Sequence, residues 1–406
     1  MRTRLTGGSF CKRGYMAMAK KNLVIQDLDT AAWEKISSDY DGWNVVSDNG
    51  SIHPCIGCFS CWNRTPGRCA IHDGYENMGS LIHQAAEVTV ISRYKYGGFS
   101  GSVKGVFDRC LGYVLPQFEI TKGETHHKKR FDEDKPFTFI FYGPSLTDDE
   151  KESAAKYAKA VCTNIRGHVK DVIFRVCDDD TAVPAQELPE RPVKADSGKV
   201  ILLNGSMRNI DGNSAKLARA LTGRLKRDNE IIDLRTYMND PDRLINILDE
   251  SQIIVLCVPL YVDGLPSQVI KLMERMERSS MGSKQVYLLA NMGLYESSQL
   301  DNLFGAVKQW CAKSGHEYCG GLGVSAGELM GTLMDVIPFR RGTTKKASQG
   351  MDRLVQSIDN TEAMADIYAE PFAFPRWLYV WIANTNWNRT SRKNGIKPKD
   401  MFTKDI

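Results

Sequence analysis

The chain has 406 residues, of which 42% are hydrophobic and 25% are charged, and its formal net charge is +4. A hydrophobic share of this size suits globular domains with substantial cores, and the length predicts two or three such domains. The small net charge gives no reason to expect nucleic acid or membrane partners, and the sequence has no run of 18 apolar residues that could span a membrane.

The eleven cysteines divide into a compact group of four and seven scattered ones. The scattered cysteines, among them Cys110, Cys162 and Cys257, stand in apolar or helical surroundings that suit reduced core thiols. An odd number of cysteines without a secretory signal predicts a cytoplasmic protein. Residues 1–20 are basic and lack an apolar core segment, so we expect a disordered extension there.

Short apolar runs alternate with longer amphipathic segments through the first half of the chain. The pattern predicts a first domain over 21–178, with strands at 22–26, 43–46, 88–91, 137–141 and 172–176 and helices at 31–38, 75–85, 102–114 and 149–165. A segment rich in Asp, Glu and Pro follows over 179–197 and predicts an interdomain linker.

The same pattern is repeated after the linker and predicts a second domain over 198–340. Its predicted strands lie at 199–203, 230–234, 252–258, 285–290 and 318–324, and its helices at 213–225, 267–276 and 300–313. Strands that alternate with long helices predict right-handed crossovers and parallel sheets, so the fold class is α/β with two doubly wound sheets in tandem. Residues 341–406 are predicted to be a helical, basic tail, whose aromatic segment at 372–381 either packs on the second domain or forms a lid or partner surface.

The cysteine group has the spacing C-x2-C-x2-C-x7-C and consists of Cys55, Cys58, Cys61 and Cys69. Three thiolates two residues apart can converge on one point, and the fourth can reach it across a short loop, which suits a [4Fe–4S] cluster. Zinc is an alternative, although structural zinc sites more often use two separated C-x2-C pairs. The third interpretation of this motif is a loop that binds no metal.

A polar loop after the first strand of the second domain predicts a phosphate site. The loop joins a strand to a helix, where unpaired N–H groups and the helix dipole attract an anion. The residues predicted to bind there are Gly205, Ser206, Arg208, Gly212, Asn213 and Ser214. The first domain has Asp27 and Asp29 at the equivalent place, so we expect no phosphate in that half.

Matching loops follow the third predicted strand of both domains, at the sheet edge where open parallel sheets bind ligands. In the second domain the loop is Pro259, Leu260, Tyr261 and Val262, and in the first it contains Tyr94, Tyr96 and Gly97. A flat aromatic ring can stack on such a tyrosine. Another loop follows the fourth strand of the second domain, and its backbone could meet the polar edge of a flavin at Asn291, Met292 and Gly293.

The second domain resembles the flavodoxin-like NAD(P)H-dependent FMN reductases in its loop 205–214, in Pro259-Leu-Tyr261 and in Asn291-Met-Gly293. The first domain resembles the iron–sulfur flavoproteins in its cysteine motif, in Asp73 and in the loop that begins at Tyr96. Together the resemblances cover roughly residues 20–330, although those flavoproteins carry the cysteines and the phosphate loop in one domain. They imply two tandem flavodoxin-like domains and an FMN at a dimer-like interface, here an intramolecular pseudo-dimer that could also form a homodimer.

The favoured interpretation is an FMN-dependent oxidoreductase that takes electrons from NAD(P)H or a ferredoxin-like donor. It would pass these electrons to a small-molecule or protein acceptor, either directly or through the [4Fe–4S] cluster. The chemistry would belong to the cofactor, so no catalytic side chain is predicted. His126 and His127 are expected to face solvent. The alternatives are a non-enzymatic flavodoxin-type electron carrier and a flavin reductase with a structural zinc or cysteine loop.

Overall fold

A computed structural model describes residues 21–48, 50–177, 198–208 and 212–404. Three predicted segments lie outside these ranges: the extension at 1–20, the linker at 179–197, and residues 209–211 of the loop 205–214 that is predicted to bind phosphate and is called the phosphate loop below. Among the described helices, none is both long and apolar enough to cross a bilayer.

The first half, residues 21–177, contains a five-stranded parallel sheet with helices between its strands. In chain order its elements are β1 (Leu23–Gln26), α1 (Thr30–Glu34), β2 (Asn44–Ser47), α2 (Ser60–Asn63), α3 (Met78–Gln84), β3 (Val88–Lys95), β4 (Gly98–Phe99), α4 (Gly101–Asp108), β5 (Val114–Thr121), β6 (Glu124–Lys129), β7 (Pro136–Gly143), α5 (Asp148–Asn164) and β8 (His168–Val176). The parallel strands stand in the order β2-β1-β3-β7-β8. The short β4 pairs antiparallel with the end of β3.

The second half, residues 198–404, contains a parallel sheet in the order β10-β9-β11-β12-β13-β14. Its elements are β9 (Val200–Asn204), α6 (Asn213–Thr222), β10 (Asn229–Asp233), α7 (Pro241–Asp249), β11 (Ile253–Pro259), α8 (Ser267–Glu277), β12 (Gln285–Asn291), α9 (Asp301–Ser314), β13 (Glu317–Val324), α10 (Gly327–Val336), α11 (Lys345–Asn360), β14 (Ile367–Ala369) and α12 (Arg376–Lys393). Every residue of the central β11 is buried, as a strand covered by helices on both faces requires.

Both sheets have the same strand order. With the insertion β4–β6 set aside, the parallel strands of each half run 2-1-3-4-5, and the second sheet adds β14 as a sixth strand. This is the order of the flavodoxin-like fold. The predicted fold class is therefore confirmed: two tandem flavodoxin-like doubly wound sheets are followed by a mainly helical C-terminal segment.

The two halves share packed side chains. Tyr96 and Phe118 of the first half lie in the same apolar cluster as the core of the second half. Helices α4 and α8 cross closely, because Gly101 lacks a side chain: a Cβ there would lie 3.1 Å from the backbone nitrogen of Lys271. The Gly101 N–H also donates to Glu274 across the same crossing.

The C-terminal α12 bridges both halves. The Asn384 side chain makes hydrogen bonds of 2.7 and 3.0 Å with the backbone of Phe118 on β5. Asn394, just beyond the helix, donates to Asn63 on α2, and the Tyr379 hydroxyl donates to the Gly293 carbonyl of the second half. The helix therefore covers the junction between the halves, while Trp377 and Trp381 on its outer side are 70% and 62% exposed.

Candidate functional site

A cavity of about 440 Å³ lies at the junction of the two halves. Its volume falls within the range of small-molecule and cofactor sites. Three regions supply its walls: the cysteine loop and the β5–β6 hairpin of the first half, the strand-edge loops of the second half, and the inner side of α12. The cavity contains several predicted cofactor residues, namely Ser206, Arg208, Asn213, Ser214, Pro259, Leu260, Tyr261, Val262, Asn291, Met292 and Gly293.

The phosphate loop begins where β9 ends at the sheet edge. Gly205 must be glycine because a Cβ there would lie 2.7 Å from Val269 and 2.8 Å from Val258. Gly212 stands at the N-cap of α6 and has no side chain to accept from the first-turn N–H groups. Gly212 therefore places no side chain between these N–H groups and an anion, and the phosphate site stays a prediction.

Two side chains of this loop already have protein partners. The Ser214 hydroxyl donates to the Asn291 amide oxygen at 2.6 Å, which joins the start of α6 to the end of β12. The Arg208 guanidinium pairs with Glu328 at 2.8 Å and lies 5.3 Å from the ring centre of Phe59. Arg208 thus connects the phosphate loop with the cysteine loop of the first half.

The third-strand loop of the second half is a tight turn. Tyr261 and Gly264 exchange two backbone hydrogen bonds of 2.9 and 3.0 Å, and the two residues between them have positive φ angles, +38° for Val262 and +59° for Asp263. Non-glycine residues rarely adopt these angles, so the turn holds backbone strain. It directs the Tyr261 hydroxyl against Gly57 of the cysteine loop, where an added Cβ would collide with it.

Tyr261 is surrounded by groups from both halves. Burial raises the pKa of its hydroxyl well above the usual value, and nearby Cys55 and Asp108 add to the shift. The uncharged hydroxyl is therefore the form present at physiological pH. A ligand in the cavity would meet this ring as a neutral aromatic surface, and the stacking role of Tyr261 stays a prediction.

The cysteine loop is held at both ends by Arg109. Its guanidinium donates to the carbonyls of His53 at 2.6 Å and Ile71 at 3.1 Å, and it pairs with Asp73 at 2.8 and 3.0 Å. This clamp lowers the pKa of Asp73 to about 2, against the opposing effect of burial. The loop between residues 53 and 73 is therefore fixed to the end of α4.

The structure does not support a metal centre at the four predicted cysteines. Burial raises the pKa of the Cys55 thiol to about 12, and the charges of Cys69 and Cys58 act in the same direction. Cys61 is affected similarly, so the four thiols lie within electrostatic range of one another. In the part of the chain that the structure describes, however, no group of three or more His, Cys, Asp or Glu side chains is arranged to hold a metal ion. The [4Fe–4S] cluster and the zinc alternative both remain predictions.

The loop of the first half that was predicted to contact the cofactor lies elsewhere. Tyr94 donates to Gln309 at 2.6 Å and Tyr96 to Glu277 at 2.5 Å, both on helices of the second half. Gly97 lies beside the same Gln309 side chain. The reason is that β3 turns back on itself into β4, which directs these residues into the contact between the halves. Tyr96 and Gly97 border a separate pocket of about 20 Å³, so Tyr96 and Tyr261 do not line one cleft.

Aromatic residues that the sequence analysis did not assign to the site form much of the cavity wall. They are Phe59, Trp62, Phe118, His127 and Trp387. His127 was expected to face solvent, but it lies on the β5–β6 hairpin and borders the cavity, and His126 beside it is only 2% exposed. The sequence signal that could have revealed this hairpin is Lys122-Gly123. These two residues form its tight turn, with φ angles of +51° and +87°.

In the first half, Asp27 occupies the place that the phosphate loop occupies in the second. Its carboxylate accepts from the backbone N–H of Arg93 at 3.0 Å and from the Ser100 hydroxyl. The Asp27 carboxylate thus occupies hydrogen-bond donors at the sheet edge of the first half. Burial raises the pKa of Asp27 from 3.8 to about 6, despite these hydrogen bonds.

The shifted pKa predicts how stability depends on pH. Because the folded pKa exceeds the unfolded one, the contribution of Asp27 is fully present below about pH 4 and is lost as the pH rises through 6. We expect the free energy of unfolding of wild type, relative to Asp27→Asn, to fall by about 3 kcal/mol between pH 4 and pH 7.5. Chemical denaturation of both proteins at several pH values measures this difference. A difference that is independent of pH would contradict the assigned burial effect.

No family model matches the chain, and no curated protein matches it. Solved structures give weak likenesses. The Trp repressor binding protein from Bacillus subtilis is 14% identical, with 40% of this chain and 96% of that chain covered and a TM-score of 0.28. Azoreductase from Bacillus anthracis str. Sterne is 12% identical, with 40% and 99% covered and a TM-score of 0.30. The flavodiiron core Flv1 from Synechocystis sp. PCC6803 is 10% identical, with 73% and 80% covered and a TM-score of 0.28. Likenesses at these TM-scores assign no function, and the flavodoxin-like class of this chain follows from its strand order.

Proposed function

We propose that the chain binds FMN in the 440 Å³ cavity and acts as a flavin-dependent oxidoreductase. The observation that carries this proposal is the convergence of three loops, after β9, β11 and β12, on one cavity. Each loop follows the carboxyl end of a parallel strand, at the sheet edge where flavodoxin-like folds bind ligands. The proposed electron donor is NAD(P)H or a ferredoxin-like protein.

The residues present fit FMN in chemical type. The N–H groups at the start of α6, together with Ser206 and Arg208, offer donors and positive charge to a phosphate. Tyr261 and the backbone around Asn291 offer an aromatic face and polar groups to a ring system. Bound FMN would supply hydride and electron transfer, while the protein would orient the ring and exclude water.

The cover that α12 gives to part of the cavity favours an enzyme over an electron carrier. A carrier exchanges electrons through a flavin edge that its partners can approach, whereas α12 covers this cavity with Ala383, Asn386 and Trp387. Aromatic side chains also line the cavity. Both features suit a second small molecule that reacts inside the cavity.

Two measurements test the proposed function. The purified chain is titrated with FMN and followed by flavin fluorescence, and the complex is then mixed with NADH or NADPH without oxygen. We expect tight binding and rapid loss of flavin absorbance with one of the nucleotides. Absence of FMN binding would refute the proposal. Tight binding with reduction only by a ferredoxin-like donor or dithionite, and no turnover with small acceptors, would favour the carrier.

The cysteine motif gives a prediction of its own. If Cys55, Cys58, Cys61 and Cys69 hold a [4Fe–4S] cluster, then Cys58→Ala should remove the bound iron and leave the protein folded, because the Cys58 side chain is exposed. Iron, zinc and sulfide are measured after anaerobic purification and reconstitution. Stoichiometric zinc would favour the structural loop, and wild type without metal would refute both metal readings.

A further inference from the structure

The side of α12 that faces away from the cavity carries large apolar side chains in contact with solvent. Trp377 and Trp381 are spaced four residues apart, so they are neighbours on the helix surface, and both are exposed. Ile382, which follows Trp381, is exposed as well. Single exposed apolar residues are common on protein surfaces, whereas neighbouring exposed tryptophans are typical of an interaction surface.

The same segment holds a local excess of positive charge. The whole chain nearly balances 53 basic residues against 49 acidic ones, but residues 371–399 contain six basic residues and no Asp or Glu. The six are Arg376, Arg389, Arg392, Lys393, Lys397 and Lys399. Arg376 pairs with Glu296. The other five are exposed, and none of them has an ion-pair partner among the described residues.

Helical spacing places the tryptophans and several of these cations on one side of α12. At about 3.6 residues per turn, Trp377, Trp381 and Arg392 point within about 60° of one another, and Arg389 lies about 120° from Trp377. Trp387, which lines the cavity, points to the other side. The surface that we call the outer face of α12 consists of Trp377, Trp381, Ile382, Arg389, Arg392 and Lys393.

This combination of side chains is complementary to a bilayer surface that contains anionic lipid. Tryptophan is enriched at the boundary between headgroups and acyl chains, where its ring is buried while its N–H stays near water. Basic side chains close to such a surface are attracted by anionic headgroups. Because the cations of the outer face have no ion-pair partner among the described residues, they are available to these headgroups.

Two other occupants fit this face less well. Single-stranded nucleic acid stacks its bases on aromatic rings within a basic groove. Here the tryptophans lie in the first half of α12 and the cations in the second, and Ile382 offers no ring for stacking. A second copy of the chain in a two-fold contact would present the same positively charged face, and the outer face has no acidic side chain to balance that charge.

We propose that the outer face of α12 binds the surface of a bilayer that contains anionic lipid. The two tryptophans and Ile382 enter the region between headgroups and acyl chains, while the three cations contact the headgroups. The helix then lies in the plane of the bilayer surface. This interaction does not depend on the proposed flavin binding, because no side chain of the outer face lines the cavity.

Sedimentation with lipid vesicles tests the proposal. The full chain is mixed at low salt with vesicles of phosphatidylcholine alone, or with vesicles of equal parts phosphatidylcholine and phosphatidylglycerol. We expect the anionic vesicles to bind the chain roughly a hundredfold more tightly, as three cations near an anionic surface predict, and this binding to weaken as salt is added. The variant Arg389→Gln/Arg392→Gln/Lys393→Gln should lose this preference.

A second variant and a matched control locate the contact. Trp377→Ala/Trp381→Ala should weaken binding to the anionic vesicles by about tenfold or more, because it removes the apolar area that enters the bilayer surface. Lys159→Gln/Lys346→Gln/Arg353→Gln removes the same charge from exposed positions on α5 and α11, and should bind almost as tightly as wild type.

Equal binding of wild type to both kinds of vesicle would overturn the proposal. An equal loss in the control variant, or no loss in the tryptophan variant, would overturn it as well. Binding to single-stranded DNA without binding to vesicles would assign the outer face to nucleic acid instead. A dimer that the tryptophan variant dissociates, again without vesicle binding, would assign this face to a second copy of the chain.

Discussion

Replacement of Ser206 by Asp is expected to weaken FMN binding by roughly a thousandfold. Ser206 is 5% exposed, lies directly after the Gly205 turn and borders the cavity where the phosphate is proposed to bind. A carboxylate at this position would stand close to the phosphate, and two like charges about 4 Å apart near a protein surface repel by about 4 kcal/mol. Fluorescence titration of the variant with FMN measures the loss.

Two controls separate charge repulsion from damage to the loop. Ser206→Asn has the shape of the Asp variant without its charge and should retain most of the affinity. Riboflavin lacks the phosphate, so its binding should change little in Ser206→Asp. If FMN and riboflavin were weakened equally, the loop at 205–214 would not be the phosphate site, and the proposed orientation of the cofactor would be wrong.

Features set by local sequence could be predicted well. The apolar run at 253–258 is the central strand of a doubly wound sheet because helices cover both of its faces. Right-handed crossovers between parallel strands limit the possible strand orders to a few. The loops after β9, β11 and β12 meet in one cavity because carboxyl ends of parallel strands share an edge.

Contacts between distant segments could not be predicted. Tyr96 resembles Tyr261 in sequence context, yet its hydroxyl pairs with Glu277 of α8, a partner 181 residues away. The sequence around Tyr96 does not predict its contact with Glu277. The prediction for this loop assumed that similar motifs occupy similar positions, whereas the β3–β4 turn redirects one of them.

Only part of the aromatic cavity wall could be predicted from the sequence. Lys122-Gly123 between two alternating segments indicates a hairpin, and recognising it would have placed His127 on a strand with one buried side. Trp387 could not have been assigned in the same way, since α12 reaches the cavity only through contacts such as that of Asn384 with Phe118. Whether a residue of a covering segment such as α12 lines the cavity depends on tertiary packing alone.

The contact between the halves contains a buried ion pair with a large expected effect on stability. Lys104 and Asp108 face each other on α4 and are 0% and 2% exposed. Asp108 also accepts from the backbone N–H of Ser267 at the start of α8, at 2.9 Å. Asp108→Ala would leave the Lys104 ammonium buried without its hydrogen-bonded counter-ion, so we expect a loss of about 3–5 kcal/mol in the free energy of unfolding.

Further variants show whether the charge or the helix contact is responsible. Asp108→Asn keeps an acceptor for Ser267 but not the charge, and should remain almost as unstable as Asp108→Ala. The double variant Lys104→Met/Asp108→Leu removes both charges and should recover most of the loss, since apolar replacements of a buried pair are often neutral or stabilising. Denaturant unfolding of all four proteins measures these differences in the free energy of unfolding. If the double variant were as unstable as Asp108→Ala, the hydrogen bond to α8 would hold the halves together, and the ion pair would contribute little.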